Sequence, residues 1–536
     1  MPYSPLPLIS SPAMEEPQQE NQNSEFKIIV QNNPEHSIRR LLLMSYFPSG
    51  FWSRLITRVL ADDAIIEIVR GFFSMPKEMK TDVRLAQWLD VKTEWMLWQT
   101  GMALKYGSIT LFRMKEILLG TKITPIDYRH LKFRLQQDGS WVEMDISNSS
   151  ILEIYFPVDS VVIKRTADSE NNQTVVLNPN PENTAKLLAL AVDHIDILLE
   201  DWYPTLGTRF VHTSEGKFLV TRLIPCPKCL AENSLKIDET GAEVVKWNDN
   251  YLAEEFRGPR VRHSQDSIAS DGDSGVGPES AESSRMPSVE GHPDFQEEYN
   301  KNEEASAFSW MVEECILSAC SGKNVNCPTH GEVLLSVVAP DTIFVDLGER
   351  HLIRSENITK GPLLGRGAFG FVFKGTCKVR GSERYLDVAM KMLQPVQPGP
   401  NARQSALLAY KGAQAKWDRD PLQYACKAYC TARQELNILL TLRHANIVPL
   451  VGVCTRPLAL VLDLAPQGAL DAVLRNYRRS GAKITPNCLQ EVILQVAKAI
   501  EYLHQQHIIY RDLKSENVLV WSLPPPFQVI VNWEFS

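Results

Sequence analysis

The spacing of apolar residues between residues 51 and 73 predicts a pair of helices. In "FWSRLITRVLADDAIIEIVRGFF", Phe51, Leu55 and Val59, and then Ile65 and Ile68, recur near the 3.6-residue period of an α-helix. A helical hairpin is therefore expected at this point of the chain.

Alternating apolar and polar residues replace the helical spacing in "WMLWQTGMALKYGSITLFRMKEI". This pattern predicts paired strands around the turn Lys105–Ser108, with Trp95 and Trp98 as core residues. In "FRLQQDGSWVEMDISNSSILEIYF", the turn Asp138–Gly139 predicts a second hairpin. We expect an α+β unit from these segments.

An amphipathic helix is expected in "NTAKLLALAVDHIDILLEDWY", capped by Asn183 or Thr184. With the strands before it, this helix extends the α+β unit over residues 41–256. Residues 1–40 are predicted to be a disordered leader, because prolines interrupt the N-terminus before an apolar segment of signal-peptide length can form.

Composition places the chain among globular proteins. Of its 536 residues, 44% are hydrophobic and 22% are charged, and the net charge of -8 argues against binding to nucleic acid. The longest apolar stretches contain charges or prolines, so no transmembrane segment is expected. Ten cysteines without a secretory signal favour reduced thiols, and a cytoplasmic location is the expectation.

Residues 257–306 form a polar insert rich in Ser, Gly, Glu and Asp. Such a composition predicts a disordered linker, because too few apolar residues are present to form a core. A phosphoregulated tether is the alternative, since "RVRH" places basic residues before Ser264 and Ser267.

Two cysteine-containing motifs flank this insert, Cys226-Pro227-Lys228-Cys229 before it and Cys327-Pro328-Thr329-His330 after it. Three thiolates and one imidazole would satisfy a tetrahedral zinc ion, with residues 307–350 completing the unit. A thioredoxin-like redox motif is less favoured, because "LAENSLKIDETG" makes a poor helix. The remaining alternative is that the thiols are unrelated buried groups and the histidine is exposed.

A glycine-rich loop lies in "GPLLGRGAFGFVFKG". The G-x-G-x-x-G spacing alone is a weak signal that also fits a dinucleotide-binding fold, but a strand, Phe371–Phe373, follows it instead of a helix. This order favours a loop that covers the phosphates of ATP, with Val372 and Ala389 against the adenine. The candidate loop residues are Gly365, Arg366, Gly367, Ala368, Phe369 and Gly370.

A phosphate-binding lysine is expected at Lys391, which ends the apolar strand "YLDVAMKML". A lysine at a strand end often only marks the exit to solvent, but the distance from the glycine loop favours the functional role. Such a lysine needs a carboxylate on a neighbouring helix, and Glu435 in "TARQELNILLTL" is a better candidate than the loop residues Asp418 and Asp420. Residues 394–429 are predicted to be an insertion before that helix.

The segment "LALVLDLAPQGAL" predicts a strand that leads into a hinge, where Asp463 and Ala465 would face adenine. Further along, a helix that starts at Thr485-Pro486 leads to "YRDLKSEN". There Asp512 could accept the proton of a substrate hydroxyl, Lys514 could neutralise the transferred phosphoryl group, and Asn517 could bind Mg²⁺. Leu519 is a further candidate nucleotide contact.

These motifs together resemble the eukaryotic protein kinases, and Lys514 is similar to the serine/threonine branch. Tyr510, where a histidine is usual, together with "APDTIFVDL" and "FWSRLITRVL", resembles the Roco family. The resemblance covers most of residues 41–523. It implies the C-terminal part of a COR domain that forms homodimers, followed by a kinase domain at residues 351–536 that uses ATP and Mg²⁺. Protein substrates, among them Rab GTPases, are also implied.

The sequence after Asn517 departs from the family pattern, because no Asp-x-Gly motif and no activation segment follow. We therefore expect a kinase domain truncated within its C-lobe, inactive by itself, with a silent scaffold or dimerisation module as the alternative function. Glu534 is a weak substitute for the missing aspartate. The expected consequence for packing is an exposed apolar helix face at Ile493, Val496, Ala497 and Ile500.

Overall fold

The computed structural model describes residues 26–73, 93–106, 109–117, 130–134, 141–145, 149–165, 174–207, 219–238, 307–366, 370–399 and 402–532. The described α-helices are α1 (Phe51–Leu60), α2 (Ala64–Arg70), α3 (Pro181–Trp202), α4 (Pro204–Gly207), α5 (Pro227–Asp238), α6 (Val312–Cys320), α7 (Leu335–Val338), α8 (Gln404–Arg419), α9 (Pro421–Leu439), α10 (Leu470–Ser480) and α11 (Pro486–Gln505).

The described strands are β1 (Phe26–Gln31), β2 (Ile38–Met44), β3 (Thr93–Trp98), β4 (Gly101–Tyr106), β5 (Ile109–Ile117), β6 (His130–Arg134), β7 (Trp141–Asp145), β8 (Ser150–Phe156), β9 (Ser160–Arg165), β10 (Thr174–Leu177), β11 (Val220–Pro225), β12 (Ala307–Met311), β13 (Val325–Cys327), β14 (Gly331–Val333), β15 (Leu352–Ile353), β16 (Ile358–Arg366), β17 (Phe371–Lys378), β18 (Tyr385–Met392), β19 (Leu450–Thr455), β20 (Leu458–Asp463), β21 (Val518–Ser522) and β22 (Gln528–Val531). Short 3-10 turns lie at Pro340–Ile343 and Val345–Leu347.

The first half of the chain is built on a large mixed sheet. Within the described residues its strand order is β3-β4-β5-β8-β2-β11-β12-β6-β7. Successive side chains of β2 alternate between two cores: Leu42 and Met44 pack with α1, α2 and α3, whereas Leu41 and Leu43 pack with α5, α6 and α7. The sheet is therefore buried on both faces, and the mixed α/β character of the prediction is confirmed.

Several sequence predictions can be compared with these elements. The helical hairpin is α1 and α2, and the two predicted strand pairs are β4–β5 and β6–β7. The turn at Asp138–Gly139 and residues 257–306 lie outside the described residues. Trp95 packs against the core around α1 and is partly buried.

Two predictions about element boundaries are wrong. The cap of α3 is Asn180, whose side chain accepts hydrogen bonds from the N–H groups of Glu182 and Asn183, because Pro181 takes the first helical position. Residues 26–40 are not a disordered leader. They contain β1, which pairs with β9, and the start of β2, in which Arg39 and Arg40 are buried.

The second half of the chain begins with a six-stranded sheet in the order β15-β19-β20-β18-β17-β16. Helix α9 packs on this sheet through Ala432 and Leu436, against Val453, Leu458 and Leu460. The predicted insertion at residues 394–429 is only partly correct. The helix that carries Glu435 already begins at Pro421, because Asp420 caps it by accepting a hydrogen bond from the N–H of Gln423.

Helices α10 and α11 and the hairpin β21–β22 form a smaller unit after this sheet. Thr485 caps α11 and Pro486 is its first residue, as predicted. On α11, Ile493 is 68% exposed and Ala497 is exposed, whereas Val496 and Ile500 pack against the hairpin. The predicted exposed face is thus confirmed at Ile493 and Ala497 and wrong at Val496 and Ile500.

The two halves meet along α9. Ile316 of α6 packs against Ala425 and Cys426 of α9, and the side chain of Arg433 forms a buried ion pair with Asp346. Among the helices that the structure describes, none combines the length and apolar character that crossing a bilayer requires.

Candidate active site

A buried ion pair joins the strand and the helix that the sequence singled out. Lys391 Nζ on β18 lies 2.8 Å from Glu435 Oε1 on α9, and the two side chains are 6% and 1% exposed. A lysine at a simple strand exit would extend into solvent, so that alternative is wrong. The pair fixes the ammonium group next to the edge of β17, where Val372 pairs with Lys391.

Helix α9 is fixed in position by contacts with the segment that precedes the sheet. Arg433, two residues before Glu435, pairs with both carboxylate oxygens of Asp346 and donates to the carbonyl oxygen of Asp341. Tyr429 donates its hydroxyl to the same carbonyl at 3.2 Å. These contacts orient the helix that presents Glu435 to Lys391, and the sequence reasoning missed them.

The glycine-rich segment lies between β16 and β17, which pair as antiparallel strands. Gly365 and Arg366 end β16, while Gly367, Ala368 and Phe369 lie outside the described residues. A Cβ atom on Gly370 would lie 2.2 Å from the carbonyl oxygen of Met392. Strand packing therefore requires this glycine, independently of any phosphate.

Several of the candidate adenine contacts lie on adjacent strands of the six-stranded sheet. Ala389 of β18 pairs with Leu462 of β20, next to the hinge residue Asp463. The Asp463 carboxylate accepts a hydrogen bond from the N–H of Leu464 at 3.0 Å. Burial raises the pKa of Asp463, and this hydrogen bond opposes the rise only in part. Ala465 is buried. Leu519 lies in β21 and is half-buried.

The catalytic-loop candidates form a hydrogen-bonded group. Lys514 Nζ lies 2.7 Å from Asp512 Oδ2, and Asn517 Nδ2 donates to the same oxygen at 2.9 Å and to the Asp512 carbonyl at 3.0 Å. The bond from Lys514, followed by the one from Asn517, holds the pKa of Asp512 below its usual value. Asp512 is therefore an ionised hydrogen-bond acceptor near neutral pH.

Tyr510 has a structural role that its position in the motif did not reveal. Its hydroxyl donates to the carbonyl oxygen of Asn532 at 2.6 Å, and the N–H of Asn532 donates to the carbonyl oxygen of Asn517 at 2.8 Å. These two bonds fix the end of β22 beside the catalytic loop. Glu534 lies outside the described residues.

The four residues of the candidate zinc site also come together. Cys226 and Cys229 lie where β11 meets α5, and Cys327 and His330 lie in the hairpin β13–β14. The prediction of a poor helix after this motif is wrong, because the helix α5 follows Cys226, and the strand β11 precedes it as in a thioredoxin-like motif. The grouping of three sulfurs with one imidazole is the feature that distinguishes this site from a two-cysteine motif.

Comparison with known proteins agrees with this geometry. A family model described as the protein kinase domain matches residues 358–523. A leucine-rich repeat serine/threonine-protein kinase 1 from Caenorhabditis elegans is 39% identical over 496 residues, which cover 91% of this chain and 19% of that protein. The protein of the same name from Mus musculus is 24% identical over 496 residues, with the same coverages.

A third relative matches a shorter part of the chain. The probable serine/threonine-protein kinase roco5 from Dictyostelium discoideum is 29% identical over 192 residues, 35% of this chain and 6% of that protein. The chain spans about a fifth of the length of the first two relatives.

Proposed function

The chain belongs to the Roco family of protein kinases, and from this premise we propose that residues 351–536 bind ATP with Mg²⁺ in a serine/threonine protein kinase site. The buried pair of Lys391 and Glu435 carries the proposal. Burying two charges costs free energy, and a kinase needs this pair to hold the ATP phosphates.

Each candidate residue has a defined role in this site. Lys391, fixed by Glu435, would bind the phosphates, and the backbone of Gly365–Gly370 would cover them. Val372, Ala389 and Leu519 would line the adenine, and the backbone from Asp463 to Ala465 would hydrogen-bond it. These roles follow the general arrangement of protein kinases.

The catalytic loop would act on the substrate hydroxyl. Asp512 is ionised and can accept the hydroxyl proton, while Lys514, 2.7 Å away, can neutralise the phosphoryl group. Asn517 uses its amide nitrogen to bind Asp512, which leaves its amide oxygen as the atom suited to Mg²⁺. When bound, Mg²⁺ would neutralise charge on the phosphates.

No aspartate follows Asn517 in this sequence, so the carboxylate expected to bind Mg²⁺ beside the Asn517 amide is not among these residues. We propose that this 536-residue polypeptide by itself binds nucleotide but does not transfer phosphate. A silent scaffold or dimerisation module is the second candidate function, and the same observation favours it.

The first half of the chain would be the C-terminal part of a COR domain, formed by residues 41–256 and completed by residues 307–350. By resemblance to the family, this part would form homodimers. Rab GTPases as substrates and a cytoplasmic location are proposed on the same basis.

One preparation of the purified chain tests both parts of the proposal. Binding of ATP in the presence of Mg²⁺ and transfer of its labelled γ-phosphate are measured side by side, with Asp512→Asn as the control for transfer. Binding without transfer is the expected result. Phosphate transfer that is abolished by Asp512→Asn would contradict the proposal that the chain is inactive. It would agree with the proposed kinase site. Absence of binding by the folded chain would contradict the nucleotide site.

A further inference from the structure

Four ligand-type side chains converge at one point of the first half of the chain, away from the kinase site. The ligand atoms of Cys226, Cys229, Cys327 and His330 all lie within 4.8 Å of one another. The three cysteines are buried, and they share a hydrophobic cluster that includes Leu230 and Phe308. Within the described residues, two separate chain segments supply the group, one on each side of residues 239–306.

The distances between these atoms fit one particular coordination. With the usual Zn–S and Zn–N bond lengths, a tetrahedral zinc ion separates two sulfurs by about 3.8 Å and a sulfur from a nitrogen by about 3.6 Å. The sulfurs of Cys229 and Cys327 are 3.6 Å apart. His330 Nδ1 lies 3.8 Å from the Cys226 sulfur, 3.4 Å from the Cys229 sulfur and 3.5 Å from the Cys327 sulfur.

The imidazole also has the outer hydrogen bond that metal-binding histidines usually form. His330 Nε2 lies 2.9 Å from Glu232 Oε1, on the side of the ring opposite to the sulfurs. Such a carboxylate holds a proton on Nε2 and directs the lone pair of Nδ1 toward the metal. Glu232 lies on α5, so the residue that orients His330 comes from the segment that carries Cys226 and Cys229.

Local backbone structure supports the same arrangement. The N–H of Cys226 donates to the carbonyl oxygen of Phe308 at 2.7 Å, which joins the first motif to β12. Gly331, directly after His330, has a φ of +70° and allows the hairpin to reverse there. The backbone of the first motif is thus fixed by a hydrogen bond, and that of the second by a glycine at the reversal of the hairpin.

We propose that Cys226, Cys229, Cys327 and His330 bind one structural zinc ion. The ion would join β11 and α5 to the hairpin β13–β14, two parts of the chain that lie on opposite sides of residues 239–306 in the sequence. Because the four ligands come together only in the folded chain, zinc binding would be coupled to folding of this half of the chain. All four positions are taken by protein ligands, as expected for a structural site and not for a catalytic one.

Metal content of the purified chain is the first test. The chain is prepared under reducing conditions without chelators, and zinc is measured by mass spectrometry. We expect about one zinc per chain, by the stoichiometry of a four-ligand site. Replacement by Co²⁺ should give the visible absorption of tetrahedral cysteine-ligated cobalt. A folded chain that contains no zinc and takes up no Co²⁺ would overturn the proposal, as would a Cys229–Cys327 disulfide in the reduced preparation.

Variants separate coordination from mere burial of thiols. Cys229→Ser should abolish stoichiometric zinc, whereas Cys315→Ser, at a cysteine buried in the same hydrophobic cluster but outside the ligand group, should retain it. Glu232→Gln should lower the affinity for zinc about 10- to 100-fold, measured by competition with a chromophoric chelator. Equal zinc content in Cys229→Ser and Cys315→Ser would contradict the assignment.

Discussion

The guanidinium of Arg433 binds both carboxylate oxygens of Asp346, with one of the two contacts at 2.8 Å and both side chains 8% exposed. Arg433 lies on the helix that carries Glu435, and Asp346 belongs to the segment that leads from the first half of the chain to the kinase sheet. The position of the Lys391–Glu435 pair therefore depends on residues outside the kinase sheet.

Arg433→Met should destabilise the chain by about 3–5 kcal/mol, because Asp346 would remain buried without its partner. The measurement is chemical denaturation followed by fluorescence. The matched control is Arg475→Met, which removes an arginine from an i,i+4 pair with Asp471 at the surface and should cost less than about 1 kcal/mol.

A double variant tests whether the loss of stability in Arg433→Met arises from the unpaired carboxylate of Asp346. Arg433→Met combined with Asp346→Asn should be more stable than Arg433→Met alone, because position 346 then carries no buried charge that has lost its partner. If the two variants unfold at the same denaturant concentration, the unpaired Asp346 is not the source of the destabilisation.

The stability of the contact between α3 and α9 should depend on pH through Asp193. Burial raises the pKa of Asp193 to about 6, although Arg433 and the hydrogen bond from Asn437 act in the opposite direction. The folded state therefore binds this proton more tightly than the unfolded state. The contribution of Asp193 to the free energy of unfolding is fully present below about pH 4, and it is lost as the pH rises through about 6.

Asp193→Asn removes this titration. Relative to the parent chain, the variant should gain stability as the pH rises from about 4 to about 6 and then show a constant difference. Denaturation midpoints of both chains across this range give the comparison. A difference that does not change with pH would contradict the raised pKa of Asp193.

Tyr510→Phe should lower the free energy of unfolding by about 1 kcal/mol, because it removes one hydrogen bond to the Asn532 carbonyl and keeps the ring. The exposed Tyr385 provides the control, because Tyr385→Phe should leave stability unchanged. Hydrogen exchange at the N–H of Asn532 should accelerate in the first variant only. Unchanged exchange would mean that Tyr510 does not fix the end of β22.

Local patterns along the sequence predicted many of the helices and strands and the ion pair of the candidate active site. Lys391 and Glu435 were identifiable because the glycine loop, the strand and the helix follow each other in a fixed order. Strand β1 was missed because its pairing with β9 joins residues that are far apart in sequence. Long-range pairing leaves no signal in a local window.

The residues that orient the site were missed for a related reason. Arg433 and Asp346 are separated by 87 positions, and nothing in either neighbourhood indicates that they meet. The grouping of the three cysteines with His330 was easier to predict than the role of Arg433, although 98 positions separate Cys229 from Cys327, because each half of the group has its own two-residue spacing.

Binding of ATP with Mg²⁺ to the purified chain tests the central claim most directly. The affinity of the parent is compared with that of Lys391→Met and of Lys374→Met, which removes a lysine paired with Asp387 at the surface of the neighbouring strand. We predict binding by the parent and by Lys374→Met, and at least about tenfold weaker binding by folded Lys391→Met, as expected when a charged contact of about 1.5–3 kcal/mol is lost. Equal affinity in all three chains would contradict the assignment of Lys391 and Glu435 to a nucleotide site.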